Sequence, residues 1–233
     1  MVLLSPAEWE VVHLSLRVSG IAILLSIIPA FAAAWALARG RFPGKFLLDA
    51  LIHLPLVLPP VVTGWVLLLL FGPGGPIGAW LEQALGVTLV FRWTGAALTA
   101  AVMAFPLMVR SMRLAIEAVD IRFENAARIL GASRGHVLRT ITLPLCLPGI
   151  AAGCILGFAR SLGEFGATIT FAANIAGETR TLPLAIYSAL QAPGSDAMVM
   201  RLSLISIALS LGALVVSEAL VRRSGARRGV YGL

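Results

Sequence analysis

The stretch that decides the fold is VSGIAILLSIIPAFAAAWALA, residues 18–38, which carries no charged side chain between Arg17 and Arg39. A helix of this length rises about 30 Å, which matches the hydrocarbon core of a bilayer. Four further runs without Asp, Glu, Lys or Arg follow at residues 50–71, 93–109, 140–159 and 202–217. We therefore predict an all-α, polytopic integral membrane bundle of about five transmembrane helices.

The composition agrees with a membrane protein. Only 12% of the 233 residues are charged, 59% are hydrophobic, and the mean hydropathy is +0.94. Soluble domains carry about a quarter charged residues, so this chain has too few to cover a water-exposed surface. The net charge of +7 could suggest nucleic acid, but no basic patch interleaved with aromatic residues and no zinc spacing supports that partner.

The arginines predict the orientation of the chain. Thirteen of the eighteen basic residues lie in the three segments 39–45, 110–139 and 222–228. These segments alternate with the apolar runs so that all three can face one side, which the positive-inside rule assigns to the cytoplasm. We expect a multi-pass protein of the cytoplasmic (inner) membrane with its C-terminus inside and its N-terminus outside. The N-terminal residues lack a basic region and an Ala-x-Ala site, so we expect no cleaved signal peptide.

The second run contains three prolines within six residues, Pro55, Pro59 and Pro60. Each proline removes a backbone donor and clashes with the preceding turn. This predicts either a kinked packing helix or a broken helix that lines a pathway. The two long outward segments, 72–92 and 174–200, are predicted to contain a short helix at 77–85 and a re-entrant or interfacial piece at 184–190.

The most informative segment is cytoplasmic and reads EAVDIRFENAARILGASRGHVLRTITLP, residues 117–144. Its apolar spacing predicts one amphipathic helix from Ile116 to Leu130. Gly131 suits the left-handed residue that ends a helix, and Ser133 can cap a second helix that continues into the fourth span. Such an elbow suggests a docking site for a cytoplasmic partner; the alternative is an interfacial helix on lipid headgroups.

This segment resembles the EAA loop of binding-protein-dependent ABC importer permeases, which reads Glu-Ala-Ala, three residues, Gly, nine residues and Ile-x-Leu-Pro. Asn125 stands where the family has Glu, and Glu124 lies one place early. The resemblance implies a type I ABC importer permease, with one transmembrane domain over 1–233 and a coupling loop over 111–140. The implied ATPase-coupling residues are Glu124, Asn125, Ala126, Ala127, Gly131, Ile141, Leu143 and Pro144.

Four other segments, 53–61, 105–110, 159–170 and 177–183, resemble molybdate permeases. Related sulfate permeases share the Gly-Glu-aromatic-Gly element but are usually longer. The resemblance implies import of molybdate, with tungstate or sulfate as alternatives. It also implies a permease homodimer, two cytoplasmic ABC ATPase subunits and an extracytoplasmic oxyanion-binding protein. The rival classes are an ATPase-independent secondary transporter, for which we find neither an inverted repeat nor several intramembrane carboxylates, and a structural membrane subunit.

Arg160 and Glu164 are predicted at membrane depth, one helical turn apart. Ionisable groups there mark either structural pairs or pathways. A mutual salt bridge is one interpretation; a gate or pathway that attracts a tetrahedral dianion is the other. The candidate pathway residues are Arg160, Ser161, Glu164, Thr168, Pro59 and Pro60.

We expect no catalytic site in this chain. The segment 40–46, GRFPGKF, faintly resembles a Walker A loop, but it has three residues between its glycines and Phe46 after Lys45. A Walker A loop needs four residues there and a Ser or Thr after the lysine. ATP is therefore expected to bind and react on a partner subunit. The three histidines are scattered, so we predict no metal or other cofactor.

Overall fold

The computed structural model describes residues 4–228, with side chains described up to residue 219. Residues 1–3 and 229–233 lie outside the described residues, so the N-terminal prediction and the outer limits of the predicted domain are only partly covered. The described residues form α-helices and contain no strand. The helices are α1 (Pro6–Arg39), α2 (Lys45–Val57), α3 (Pro60–Phe71), α4 (Pro76–Leu85), α5 (Trp93–Glu117), α6 (Ile121–Ile129), α7 (Arg134–Val137), α8 (Leu143–Leu162), α9 (Gly166–Ala172), α10 (Leu182–Leu190) and α11 (Asp196–Arg228).

Four stretches of helix in the described part of the chain are long and apolar enough to cross a membrane. They are Pro6–Arg39, Trp93–Glu117, Arg134–Leu162 and Asp196–Ala219. Helices α2 and α3 pass the same test together, although they are bent by 117°. The prediction of an all-α bundle with about five spans is therefore confirmed.

The second span is broken, as the prolines allowed. Helix α2 tolerates Pro55 and ends at Val57, while Pro59 lies in an extended conformation and Pro60 is the first residue of α3. Proline is well suited to a first helical position because its missing N–H has no partner there anyway. The structure therefore has a broken helix at this span, and a pathway along it stays a prediction.

The centre of the bundle is formed by α1, α5 and α8, and small residues bring these helices close together. Three glycines at four-residue intervals on α8 face α5. A Cβ at Gly149 would lie 2.4 Å from the Ala115 Cβ, and one at Gly157 would lie 2.8 Å from Met108 Cγ. A Cβ at Gly153 would lie 3.0 Å from the Ser111 Cβ. This contact fixes α8, which carries a candidate site at each end.

The predicted single helix from Ile116 to Leu130 is wrong. Helix α5 ends at Glu117, and Asp120 begins a new helix by accepting a hydrogen bond from the Arg122 backbone N–H. The predicted apolar stripe is consequently divided: Ile116 is fully buried, whereas Leu130 is 87% exposed. The spacing alone could not show this break, because the stripe continues across it. The short helix predicted at 77–85 is present as α4. The segment 184–190 lies in the helix α10, and its re-entrant or interfacial position stays a prediction.

Candidate functional site

The first candidate site is the elbow, which we define as residues 120–142. Its turn is a Schellman motif that satisfies the last carbonyls of α6. The Gly131 N–H donates to the Arg128 carbonyl at 3.0 Å, and the Ala132 N–H donates to the Ala127 carbonyl at 3.0 Å. Gly131 has φ +87°, so the predicted left-handed conformation is confirmed.

The second half of the elbow leads directly into the membrane. Ser133 caps α7 by accepting a hydrogen bond from the His136 N–H at 3.3 Å, as predicted. One π turn, Leu138–Thr142, then joins α7 to α8. Pro144 follows this turn, and because it has no N–H it cannot complete the regular α-helical ladder there. Ile141 and Leu143 are partly buried at this junction, and Pro144 is exposed.

The outward surface of the elbow combines an apolar tip with arginines. Ile129 and Leu130 are 86% and 87% exposed, and Ile121 and Phe123 are also more than half exposed. The surrounding exposed residues are Arg122, Asn125, Ala126, Arg128, Arg134, His136 and Arg139. Ala127 is partly buried. Hydrogen bonds from the Arg122 guanidinium and backbone N–H hold the pKa of the Asp120 carboxyl below its ordinary value.

Glu124 has a different environment from the rest of the elbow. It is 2% exposed, and its Oε1 atom accepts hydrogen bonds from Arg39 Nη2 at 2.9 Å and from Thr142 Oγ1 at 3.1 Å. The Glu124 side chain therefore points into the protein. Sequence reasoning missed Arg39 and Thr142 as its partners, because Arg39 lies 85 residues away and no local spacing links the two.

The second candidate site is the junction between α8 and α9, residues 160–168. Arg160 Nη1 and Glu164 Oε2 form an ion pair at 2.7 Å, so the predicted pairing partner is in place. The other carboxylate oxygen, Oε1, accepts a hydrogen bond from the Ala167 N–H at 2.9 Å and so caps α9. Glu164 is 3% exposed, which means that its charge is held by these two contacts inside the protein.

The hydroxyl groups of this junction are buried but differ in their contacts. Thr168 Oγ1 lies 3.0 Å from Thr99 Oγ1, which connects α9 to α5. Ser161 is 5% exposed, and its Oγ has no hydrogen-bond partner among the described residues. The structure thus brings Arg160, Ser161, Glu164 and Thr168 into one junction, as the sequence grouped them.

The break in the second span lies against this junction. A Cβ at Gly166 would lie 2.8 Å from the Pro60 Cβ, and one at Gly64 would lie 2.7 Å from the Ala167 carbonyl oxygen. Pro59 and Pro60 themselves are exposed. The break at Pro59–Pro60 therefore lies beside the junction that holds the Arg160–Glu164 ion pair. The elbow lies at the opposite end of α8, about 30 Å away along twenty helical residues.

The Gly40–Phe46 segment connects α1 to α2. Gly44 is left-handed and begins α2, and Lys45 Nζ donates to the Gly40 carbonyl at 3.4 Å, so the lysine is directed back onto its own loop. No group of three or more His, Cys, Asp or Glu side chains that could hold a metal ion occurs among the described residues.

These features define a helical membrane protein with one broken span and an elbow that enters a further span. Residues 17–225 match the model of the family described as binding-protein-dependent transport system inner membrane component. The chain belongs to this family.

Individual relatives extend the similarity over the whole chain. It is 56% identical, over 98% of its length, to the full length of the Molybdenum transport system permease protein ModB of Escherichia coli (strain K12). It is 54% identical to the protein of the same name from Haemophilus influenzae, over 95% of this chain and 97% of that one. The sulfate transport system permease protein CysT of Escherichia coli (strain K12) is 42% identical, over 68% of this chain and 57% of its own.

Solved structures have the same fold. A bacterial ABC transporter involved in the import of the acidic polysaccharide alginate superimposes with a TM-score of 0.70 over 96% of this chain and 80% of its own, at 17% identity. The MetNI methionine ABC transporter, in inward-facing conformations, superimposes with a TM-score of 0.64 over 94% of both chains, at 16% identity. The expected ABC importer permease architecture is therefore confirmed.

Proposed function

We propose that this chain is the membrane-spanning permease subunit of an ABC importer that moves molybdate into the cytoplasm. The observation that carries the proposal is the 56% identity to a molybdenum transport permease, which covers 98% of this chain and 100% of that protein. The sulfate permease relative matches a smaller part of this chain, 68%, at a lower identity of 42%, so sulfate is the weaker candidate for the substrate. Tungstate is also a tetrahedral dianion, and competition with molybdate for uptake will show how well the chain transports it.

The elbow is the proposed docking site for a cytoplasmic ATPase subunit. Ile129 and Leu130 project an apolar tip that a soluble surface would rarely leave uncovered, and arginines surround it. We expect the ATPase groove to have an apolar floor with carboxylates at its rim, because such a surface complements both features. An interfacial helix on lipid would explain the apolar tip less well, because α6 is a nine-residue helix held firmly by buried contacts.

ATP hydrolysis is assigned to that partner, and no cofactor is assigned to this chain. The direction of Lys45 toward the Gly40 carbonyl supports this division, because a phosphate-binding lysine has to be free to reach its ligand. A secondary transporter would instead work without any ATPase. The two classes differ in whether the purified chain transports molybdate by itself.

The junction at Arg160–Glu164 and the adjacent break at Pro59–Pro60 are the proposed gate. A broken helix and a helix junction that pack on each other through Gly166 and Pro60 provide two hinges at one level of the bundle. Irregular backbone in a membrane protein is tolerated where it is buried or lines a water-filled path. The Arg160–Glu164 ion pair holds the helices around this junction in one arrangement. Arg160 and the hydroxyls of Ser161 and Thr168 offer an oxyanion only weak contacts, because a tightly bound anion would be released too slowly for transport.

We further propose a homodimer of this chain with two ATPase subunits and an extracytoplasmic binding protein. The C-terminus is assigned to the cytoplasm, because the elbow and the basic tail belong to the same set of arginine-rich segments. In this proposal the protein lies in the inner membrane with its elbow directed at the ATPase.

Uptake in cells tests the substrate. The chain is expressed with its ATPase and binding protein in a bacterium that lacks its own molybdate permease, and uptake of radiolabelled molybdate is measured against unlabelled competitors. We expect saturable uptake that unlabelled molybdate abolishes and that equal sulfate leaves nearly unchanged. Sulfate that competes as well as molybdate would assign the chain to the sulfate importers instead.

A further inference from the structure

The inner end of α1 makes an unusual set of contacts with the elbow. Arg39 is the last residue of α1, and the two N–H groups of its Nη2 atom reach three acceptors, one of the N–H groups being shared between two of them. These acceptors are the Ile116 carbonyl at 3.1 Å, the Val119 carbonyl at 3.0 Å and Glu124 Oε1 at 2.9 Å. A single guanidinium thereby joins the end of α1 to the end of α5 and to the body of α6.

Glu124 extends the same network to the fourth span. Its Oε1 atom also accepts the hydrogen bond from Thr142 Oγ1, in the π turn that begins α8. Both Glu124 and Thr142 are almost fully buried, at 2% and 0% exposure. Buried charge-assisted hydrogen bonds are stronger than exposed ones, and removing one partner leaves the other unsatisfied.

The network therefore binds the elbow to the three helices that form the centre of the bundle. Helices α1, α5 and α8 pack closely through alanines and glycines, as described above. A loop connected only by its two chain ends could absorb a push by bending. Here Glu124 is also hydrogen-bonded to Arg39 at the end of α1, and its bond to Thr142 joins α6 to the turn that begins α8. We therefore expect movement of the elbow to reach α1, α5 and α8.

We infer that Arg39 and Glu124 are positioning residues that transmit movement of the elbow to the membrane helices. The inference rests on the proposed function, in which an ATPase moves the elbow. It assigns Glu124 an internal role, so that the acidic side chain of the loop acts through Arg39 rather than by contact with the ATPase. The contact with the ATPase is then left to the exposed side chains of the tip.

The test uses the assembled permease–ATPase complex with its binding protein, reconstituted in proteoliposomes. In Arg39→Met, molybdate taken up per ATP hydrolysed should fall on the order of tenfold. Hydrogen exchange of the amides in residues 116–130 should become faster in the same complex. Arg41→Met is the matched control, because Arg41 is an exposed arginine two residues further along the chain and its loss should change neither quantity.

Two further variants separate transmission from stability. The double variant Arg39→Met/Glu124→Leu leaves no buried charge unpaired, so the amount of folded complex should recover while uptake per ATP stays low. Thr142→Val keeps the side-chain shape and should still speed amide exchange in α6, even if Arg39→Met does not assemble. Native coupling and native exchange in any of these variants, at matched amounts of complex, would overturn the inference. Failure of the unmodified complex to take up molybdate would instead contradict the proposed function.

Discussion

At the scale of single residues, the Arg160–Glu164 pair illustrates how a charge is kept inside the bundle. The carboxylate of Glu164 has one oxygen on Arg160 Nη1 and the other on the Ala167 N–H, and it is 3% exposed. An ionised group at this depth is stable only while both contacts persist. We therefore expect the pair to stabilise the bundle, and its part in gating stays a proposal.

This arrangement predicts how charge removal affects the protein. Arg160→Ala leaves Glu164 buried without its cation and should destabilise the fold by roughly 3 kcal/mol. The double variant Arg160→Ala/Glu164→Ala should recover part of the lost protein, because no unpaired charge remains. Folded protein is measured by size-exclusion chromatography in detergent, together with molybdate uptake. Arg92→Ala removes an exposed arginine elsewhere and serves as the control.

The outcomes of that experiment distinguish the two roles of Arg160. If Arg160 acts only by attracting the oxyanion, Arg160→Ala and the double variant should have normal protein levels and the same loss of uptake. Native protein levels and native uptake in every variant would contradict both roles.

At the scale of elements, the elbow depends on the backbone of Gly131. Its φ of +87° is strained for any residue with a Cβ, yet no atom lies within 4 Å of where a Cβ would be. Gly131→Ala therefore changes only the backbone energy, by on the order of 1 kcal/mol. Gly135→Ala is the matched control, since Gly135 has equal room but lies within helix α7.

We expect Gly131→Ala to weaken ATPase association or to lower uptake per ATP, while the amount of inserted permease stays normal. The larger Gly131→Val should have the same effect more strongly, because a β-branched residue is less tolerant of the left-handed region. Binding of the ATPase to permease in nanodiscs gives the measurement. Equal affinity for Gly131→Ala, Gly135→Ala and the unmodified chain would show that this turn is not important for coupling.

Local signals in the sequence predicted several of these elements correctly. Gly131, Ser133 and the prolines of the second span each act on their own neighbours, so their effects could be predicted without knowing the packing. The break at Asp120 was missed, because apolar spacing continued through it. The contact of Glu124 with Arg39 could not be predicted, since it depends on how α1 packs beside α5.

At the scale of the whole molecule, the proposed topology has the elbow and the α3–α4 loop on opposite sides of the membrane. Gly74 lies in that loop and Gly135 lies in the elbow; both are exposed, with no atom near an added Cβ. In a chain with Cys146→Ala and Cys154→Ala, Gly74→Cys should react with a membrane-impermeant maleimide added to intact spheroplasts. Gly135→Cys should react only after the membrane is permeabilised. The reverse pattern would invert the assigned orientation.

We propose that this chain transports an oxyanion only when an ATPase drives it. The direct measurement is molybdate accumulation in proteoliposomes that contain the chain, its ATPase and internal ATP, with loaded binding protein outside. We expect accumulation against a gradient that stops when either ATP or the ATPase is omitted. Accumulation by the permease alone, driven by an ion gradient, would contradict this proposal.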